Sequence, residues 1–197
     1  MKELLLNVEA EIKNRGIEGD EISEVLSSYE PAKNRRIIGG YSSVAVIDRE
    51  GHRITIPALK NAVAKFMAED RYRPVQVFHS DIQVGRILPK WTNPDTGETL
   101  TSHIDEKGWY TICEIRDDIE IANKVWDEII AGRIRSFSIA GSSKDKSPSW
   151  EGGTQHTAIN DLEIYESTLC EVPVNALSKF EVLYDPGKVR IDAMLDM

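Results

Sequence analysis

Hydrophobic positions recur at two different periods along this chain, and the places where the period changes divide it into elements. Over residues 2–28, Leu4, Leu5, Val8 and Ile12 fall at helical spacing, Gly16 and Gly19 interrupt, and Ile22, Val25 and Leu26 resume the stripe. This predicts a helical flank over 1–30 whose apolar stripe covers a core or meets a partner. From residue 37 the pattern becomes that of strands. Residues 41–47 are rich in β-formers, 48–51 (DREG) read as a turn, and a strand is expected over 53–56. Pro57 suits the first turn of a helix, and Leu59, Ala62, Val63, Phe66 and Met67 follow at i, i+3, i+4, i+7 and i+8. Short strands are expected over 75–78 and 83–88, with a turn at 93–97 (NPDTG) that folds the chain back.

The second half continues in the same manner. Residues 108–115 (GWYTICEI) read as a strand. Asp117, with Glu120 three residues later, suggests a capping box opening a helix that buries Ile121, Val125, Ile129 and Ile130 and stops at Gly132. A strand over 134–140 follows. Residues 141–157 (GSSKDKSPSWEGGTQHT) are small, polar and turn-rich, which predicts a mobile loop. Strands over 162–172, closed by Pro173, and 180–184 complete the pattern. The expectation is one strand-dominated α+β domain over 37–184 with at least two helices, a helical flank before it and a tail over 185–197.

Composition narrows the classes. At 197 residues the chain is long enough for a sizeable core, and 24 basic against 33 acidic side chains give a net charge of −9. That balance argues against a duplex nucleic-acid binder, which needs clustered basic groups for phosphate contacts. No apolar run approaches the ~20 residues that span a bilayer. The first residues carry Glu3, Glu9 and Glu11 among their apolar positions, unlike a secretory signal. Cys113 and Cys170 are far apart and form no CxxC, so neither a disulfide framework nor a zinc site is expected. These features together suggest an acidic cytoplasmic protein that needs no metal.

Three residues stand out chemically. His79 closes an apolar strand in VFHSDIQVGRI, and Ser138 sits in RSFSIAG, directly after a helix stop. Glu166 is the single charge on the strand face Leu162, Ile164, Glu166, Thr168, Cys170. A carboxylate on a buried face requires a partner, either an arginine such as Arg133 or Arg135, or a histidine. A serine hydroxyl becomes a useful nucleophile when a base takes its proton and a third group orients that base. No GxSxG elbow occurs, which speaks against an α/β-hydrolase. A metal hydrolase built on His79, Asp81, His103 and Asp105 is an alternative, although that spacing matches no established ligand motif.

Four blocks in order resemble the head-maturation (prohead) serine proteases of tailed bacteriophages, whose fold is related to the herpesvirus assemblins. GGYSSVAVIDREG (39–51) is similar to the family's opening strand and turn, and VFHSDIQVGRI (77–87) to its His block. AGRIRSFSIAG (131–141) is similar to its Ser block, and YESTLCEVPVN (165–175) to its acidic segment ending in Pro-Ala-Asn. The chain departs from the pattern at Ala140, Val174 and Ser167-Thr168. The resemblance implies a β-barrel-like α+β endopeptidase with Ser138 as nucleophile, His79 as general base and then acid, and Glu166 as orienting carboxylate. His103 and His156 are the rivals for the third role, because the herpesvirus relatives use a second histidine there. No cofactor is implied, since an acyl-enzyme route uses only side chains and water.

The implied substrates are scaffold or the scaffold-like region of the major capsid protein, and the chain itself, inside the assembling procapsid in the host cytoplasm. An unregulated protease would destroy its substrate before a shell closed, so self-association and assembly-coupled activity are expected, with 2–28 as the docking element. A non-catalytic capsid-assembly or scaffolding protein with a protease-like fold is the alternative from another class. Neither reading involves nucleic acid or a membrane.

Overall fold

The computed structural model describes residues 36–68 and 73–188. The flank expected over 1–30 and the tail beyond residue 188 lie outside the described residues. In chain order the main elements are β1 (Arg36–Val44), β2 (His52–Ile54), α1 (Ile56–Ala68), β3 (Pro74–Val77) and β4 (Gln83–Leu88). A small hairpin of β5 (Lys90–Thr92) and β6 (Thr99–Thr101) follows, then β7 (His103–Ile104) and β8 (Gly108–Ile115). Next come α2 (Glu120–Ile130), β9 (Ser136–Glu151), β10 (Thr154–Cys170) and β11 (Phe180–Tyr184).

The expected strand-dominated α+β architecture is present as one large mixed sheet in the order β11-β1-β8-β4-β3-β10-β2, with β9 beside β10 and β7 beside β8. Among the described residues β11 and β2 do not pair, so the sheet is not closed into a hydrogen-bonded barrel. β10 organises the site. β9 pairs with it antiparallel along its whole length, which leaves only the opposite edge for β2 and β3. Both run parallel to β10 there, β2 against 157–159 and β3 against 167–169. A parallel pair needs a crossover, and α1 supplies it, packing on β10 between β2 and β3.

The helical stripes bury largely as their spacing predicts. Leu59, Ala62, Val63 and Phe66 of α1 enter a core with Trp109, Phe137 and Leu169, and Phe66 meets Trp109 edge to face. Leu59, Val63 and Phe66 each contribute about 1.5–3 kcal/mol through removal of apolar surface from water. Thr55 caps α1 by accepting the Ala58 N–H. In α2, Ile121, Val125 and Ile129 are buried as expected, but Ile130 is exposed and Trp126 takes the inward place. The Asp117 capping box does not form. The cap position is Ile119, without a side-chain cap bond, because the helix starts too late for Asp117 to reach its first N–H groups. Gly132 does end the helix, at φ 71°.

The largest correction concerns 141–157, which is no mobile loop but the arms of the β9–β10 hairpin. Glu151 pairs with Thr154 across Gly152-Gly153, whose φ values of 56° and 83° meet the left-handed requirement of a tight hairpin turn. Most of this part of β9 is exposed, so the ladder forms without the apolar alternation that usually signals a strand.

Gly141 pairs with Ile164 of β10. A Cβ there would lie 2.1 Å from the Glu163 carbonyl oxygen, an approach that only backbone movement relieves. Gly141→Ala is expected to destabilise the protein by about 1–3 kcal/mol through this overpacking. Denaturant unfolding checks it; an unchanged midpoint would show that β9 separates from β10 at this point without cost.

Candidate active site

Side chains alternate between the faces of a strand, so Glu166, Thr168 and Cys170 of β10 point the same way. The register sets Ala140, Ser138 and Ser136 of β9 directly opposite them in turn. His79 reaches the same region from the other edge of β10. Val77 pairs with Leu169, and the chain then turns sharply, with Phe78 at φ 51° and His79 at φ 54°. Left-handed backbone at two consecutive non-glycine residues is strained, and such strain clusters at functional sites. β10 holds the turn in place: Leu169 O accepts the Phe78 N–H at 3.0 Å, and Thr168 Oγ1 accepts the His79 N–H at 2.9 Å.

The turn brings His79 Nδ1 to 2.5 Å from Glu166 Oε1. Glu166 is buried, whereas the His79 side chain is about half exposed. The hydrogen bond that His79 donates to Glu166 is the main cause holding the imidazole above its ordinary pKa; partial burial opposes it, and the charge of Glu166 adds to it. Glu166 therefore has a histidine as partner and not an arginine. Arg133 forks onto Glu128, at 2.5 and 2.7 Å.

Ser138 is buried at 8% exposure and lines a cleft of about 350 Å³ together with His79. Ser138 Oγ has no hydrogen-bond partner among the described residues, and the Ser138–His79 bond is not formed here. Such bonds often tighten only when substrate is bound. Asn175 borders the same cleft, and its amide donates to Val44 O at 2.6 Å, tying the segment after β10 to the end of β1. Arg49 adds a second tie to this segment by donating to Pro173 O.

The other candidates lie elsewhere. His103 is half exposed, stacks on Tyr110 and stands 3.9 Å from Asp105. His156 lies within β10 rather than in a loop, buried beside a separate cavity with Lys146 and Gln155. Among the described residues no group of three or more His, Cys, Asp or Glu is gathered as a metal site, so His79 and Asp81 do not join His103 and Asp105. Both cysteines are free and buried, and burial pushes their thiols up, Cys113 to about 12 and Cys170 to about 11. Neither supplies a thiolate at neutral pH. Sequence reasoning missed Thr168. It treated that residue as a departure from a motif, and only the turn after β3 gives its hydroxyl a task.

A serine and a histidine lining one cleft, with a buried carboxylate against that histidine, are the side chains that a serine protease uses. Residues 26–188 match the family model of the caudovirus prohead serine proteases, and the chain belongs to that family. It is a serine protease. Among solved structures it is similar to the bacteriophage T4 capsid assembly protease gp21, at TM-score 0.46 and 14% identity, over 67% of this chain and 80% of that one. It is also similar to the KSHV protease in complex with a hexapeptide phosphonate inhibitor, at TM-score 0.44 and 14% identity, over 77% of this chain and 66% of that one. No curated protein matches the chain. Among the described residues no helix is long and apolar enough to cross a membrane.

Proposed function

We propose that this serine protease cleaves scaffold, or the scaffold-like region of the major capsid protein, and itself, within the assembling procapsid in the host cytoplasm. Ser138 is the nucleophile, His79 the general base and then acid, and Glu166 the orienting carboxylate. The observation that carries this assignment is the 2.5 Å contact of His79 Nδ1 with buried Glu166 at the cleft that Ser138 lines. With Nδ1–H donated to Glu166, Nε2 carries the lone pair that a base needs.

In the first step Ser138 Oγ forms a bond to the scissile carbonyl carbon as its proton passes to His79 Nε2. The imidazolium then gives that proton to the departing amine, the C–N bond breaks, and an acyl-enzyme remains. Water repeats the sequence, losing a proton to His79 and releasing the acid as Ser138 regains its hydrogen. The oxyanion is met by backbone N–H groups. Glu166 stabilises the imidazolium in both halves without taking the proton itself. Self-association couples this activity to assembly, since confinement raises effective concentration without new contacts.

Co-expression with the cognate capsid and scaffold proteins tests the substrate assignment. Wild type is expected to shorten one of them, as read by intact mass, and Ser138→Ala to leave both at full length. Uncleaved partners in the wild-type sample, with the protease itself active on another protein, would contradict it.

A further inference from the structure

Thr168 is fully buried on β10, between Glu166 and Cys170 on one strand face and directly opposite Ser138. Its hydroxyl oxygen accepts the backbone N–H of His79 at 2.9 Å. That N–H belongs to a residue with left-handed φ, just past the point where β3 ends. Because the chain turns there, the parallel ladder offers the His79 N–H no strand carbonyl, and a side-chain acceptor takes its place. The preceding N–H, that of Phe78, is still held by the Leu169 carbonyl. β10 thus holds two consecutive strained residues, one through its backbone and one through the Thr168 hydroxyl.

We infer that Thr168 is a positioning residue: its hydroxyl sets the backbone of His79 so that the imidazole meets Glu166 at one ring nitrogen and borders the cleft that Ser138 lines. The inference rests on the roles proposed above for those three residues. Thr168 touches no substrate and acts only through His79. Without the acceptor, the strained turn relaxes and the imidazole moves away from its working place. A displacement of about 1 Å is enough to cost roughly 10²-fold in rate.

Four side chains separate this role from simple packing. Thr and Ser carry the hydroxyl, whereas Val and Ala lack it; Thr and Val carry the methyl that fills the buried space, whereas Ser and Ala lack it. The full chain and its Thr168→Ser, Thr168→Val and Thr168→Ala variants are treated with an alkyl fluorophosphonate. This probe forms a P–O bond to the serine as fluoride leaves and the serine proton passes to the base. The limiting labelling rate and the half-saturating probe concentration are read by intact mass, and the thermal midpoint is measured alongside.

The expected pattern is that labelling follows the hydroxyl, whereas stability falls on loss of either group, the methyl through packing and the hydroxyl through the His79 N–H left without its acceptor. Thr168→Ser labels near the wild-type rate. Thr168→Val and Thr168→Ala fall about 10²-fold in limiting rate with little change in half-saturation. If Thr168→Val does not fold, Thr168→Ser against Thr168→Ala decides, since these two differ by the hydroxyl alone. Equal labelling rates for Thr168→Ser and Thr168→Ala, or wild-type labelling by Thr168→Val, overturn the inference. Failure of the wild type itself to label overturns the catalytic assignment instead, which keeps the two failures distinct.

Discussion

Ser138→Ala is expected to lower turnover by roughly 10⁴- to 10⁶-fold, the range set by removing the nucleophile of a serine protease. The fold is expected to stay intact. Ser138 Oγ has no hydrogen-bond partner among the described residues, so its removal strands no donor or acceptor. Ser136→Ala is the matched control. Ser136 lies two residues earlier on the same face, opposite Cys170 instead of Thr168, and is buried away from the cleft. It is expected to cleave at the wild-type rate. Loss of activity in Ser136→Ala with an active Ser138→Ala would shift the nucleophile by one step of the strand.

Glu166→Gln is expected to produce the second largest loss, up to about 10⁴-fold, the effect of amidating the acid of a comparable triad. Its pH dependence distinguishes orientation from packing. The hydrogen bond donated to Glu166 raises the His79 pKa above its ordinary value near 6.5. In its proposed role as base, His79 must be neutral to accept the serine proton, so activity is expected to fall as pH drops through that raised value. In Glu166→Gln the acid limb should move to lower pH, because the raising partner is gone. Stability runs the opposite way. A raised folded pKa gives His79 a stabilising contribution that is complete below its unfolded value and lost as pH rises through the folded one. Glu166→Gln should remove that pH-dependent part of the unfolding free energy. His103→Ala and His156→Ala are expected to change the rate little; an inactive His103→Ala beside a near-normal Glu166→Gln would transfer the third role to the histidine.

Elements carrying a regular run of apolar residues were legible in the sequence. The stripe of α1 and the strands at 83–88, 108–115 and 180–184 occur where hydrophobic spacing puts them. The β9–β10 hairpin was not, because its outer arm is exposed and carries no burial pattern. Its one local signal was Gly152-Gly153, the dipeptide of a tight hairpin turn. Ile130 and Trp126 changed places because a helical stripe fixes a face only to within a residue or so, and Trp126 has more apolar surface to bury. At the site, Glu166 was visible as a lone charge on an apolar strand face, and its partner proved to be His79. Thr168 was invisible for a physical reason: its hydroxyl acts on a backbone N–H 89 positions away in the chain, exposed only by a turn that no local pattern specifies.

If His79 and Glu166 activate Ser138, that serine is the one an electrophilic phosphorus probe modifies. Wild type treated with an alkyl fluorophosphonate, digested and mapped by mass, is predicted to carry one adduct, on Ser138. Ser138→Ala and His79→Ala should carry none under the same conditions, and Glu166→Gln should label far more slowly. An adduct on another serine, or undiminished labelling in Ser138→Ala, would contradict the account.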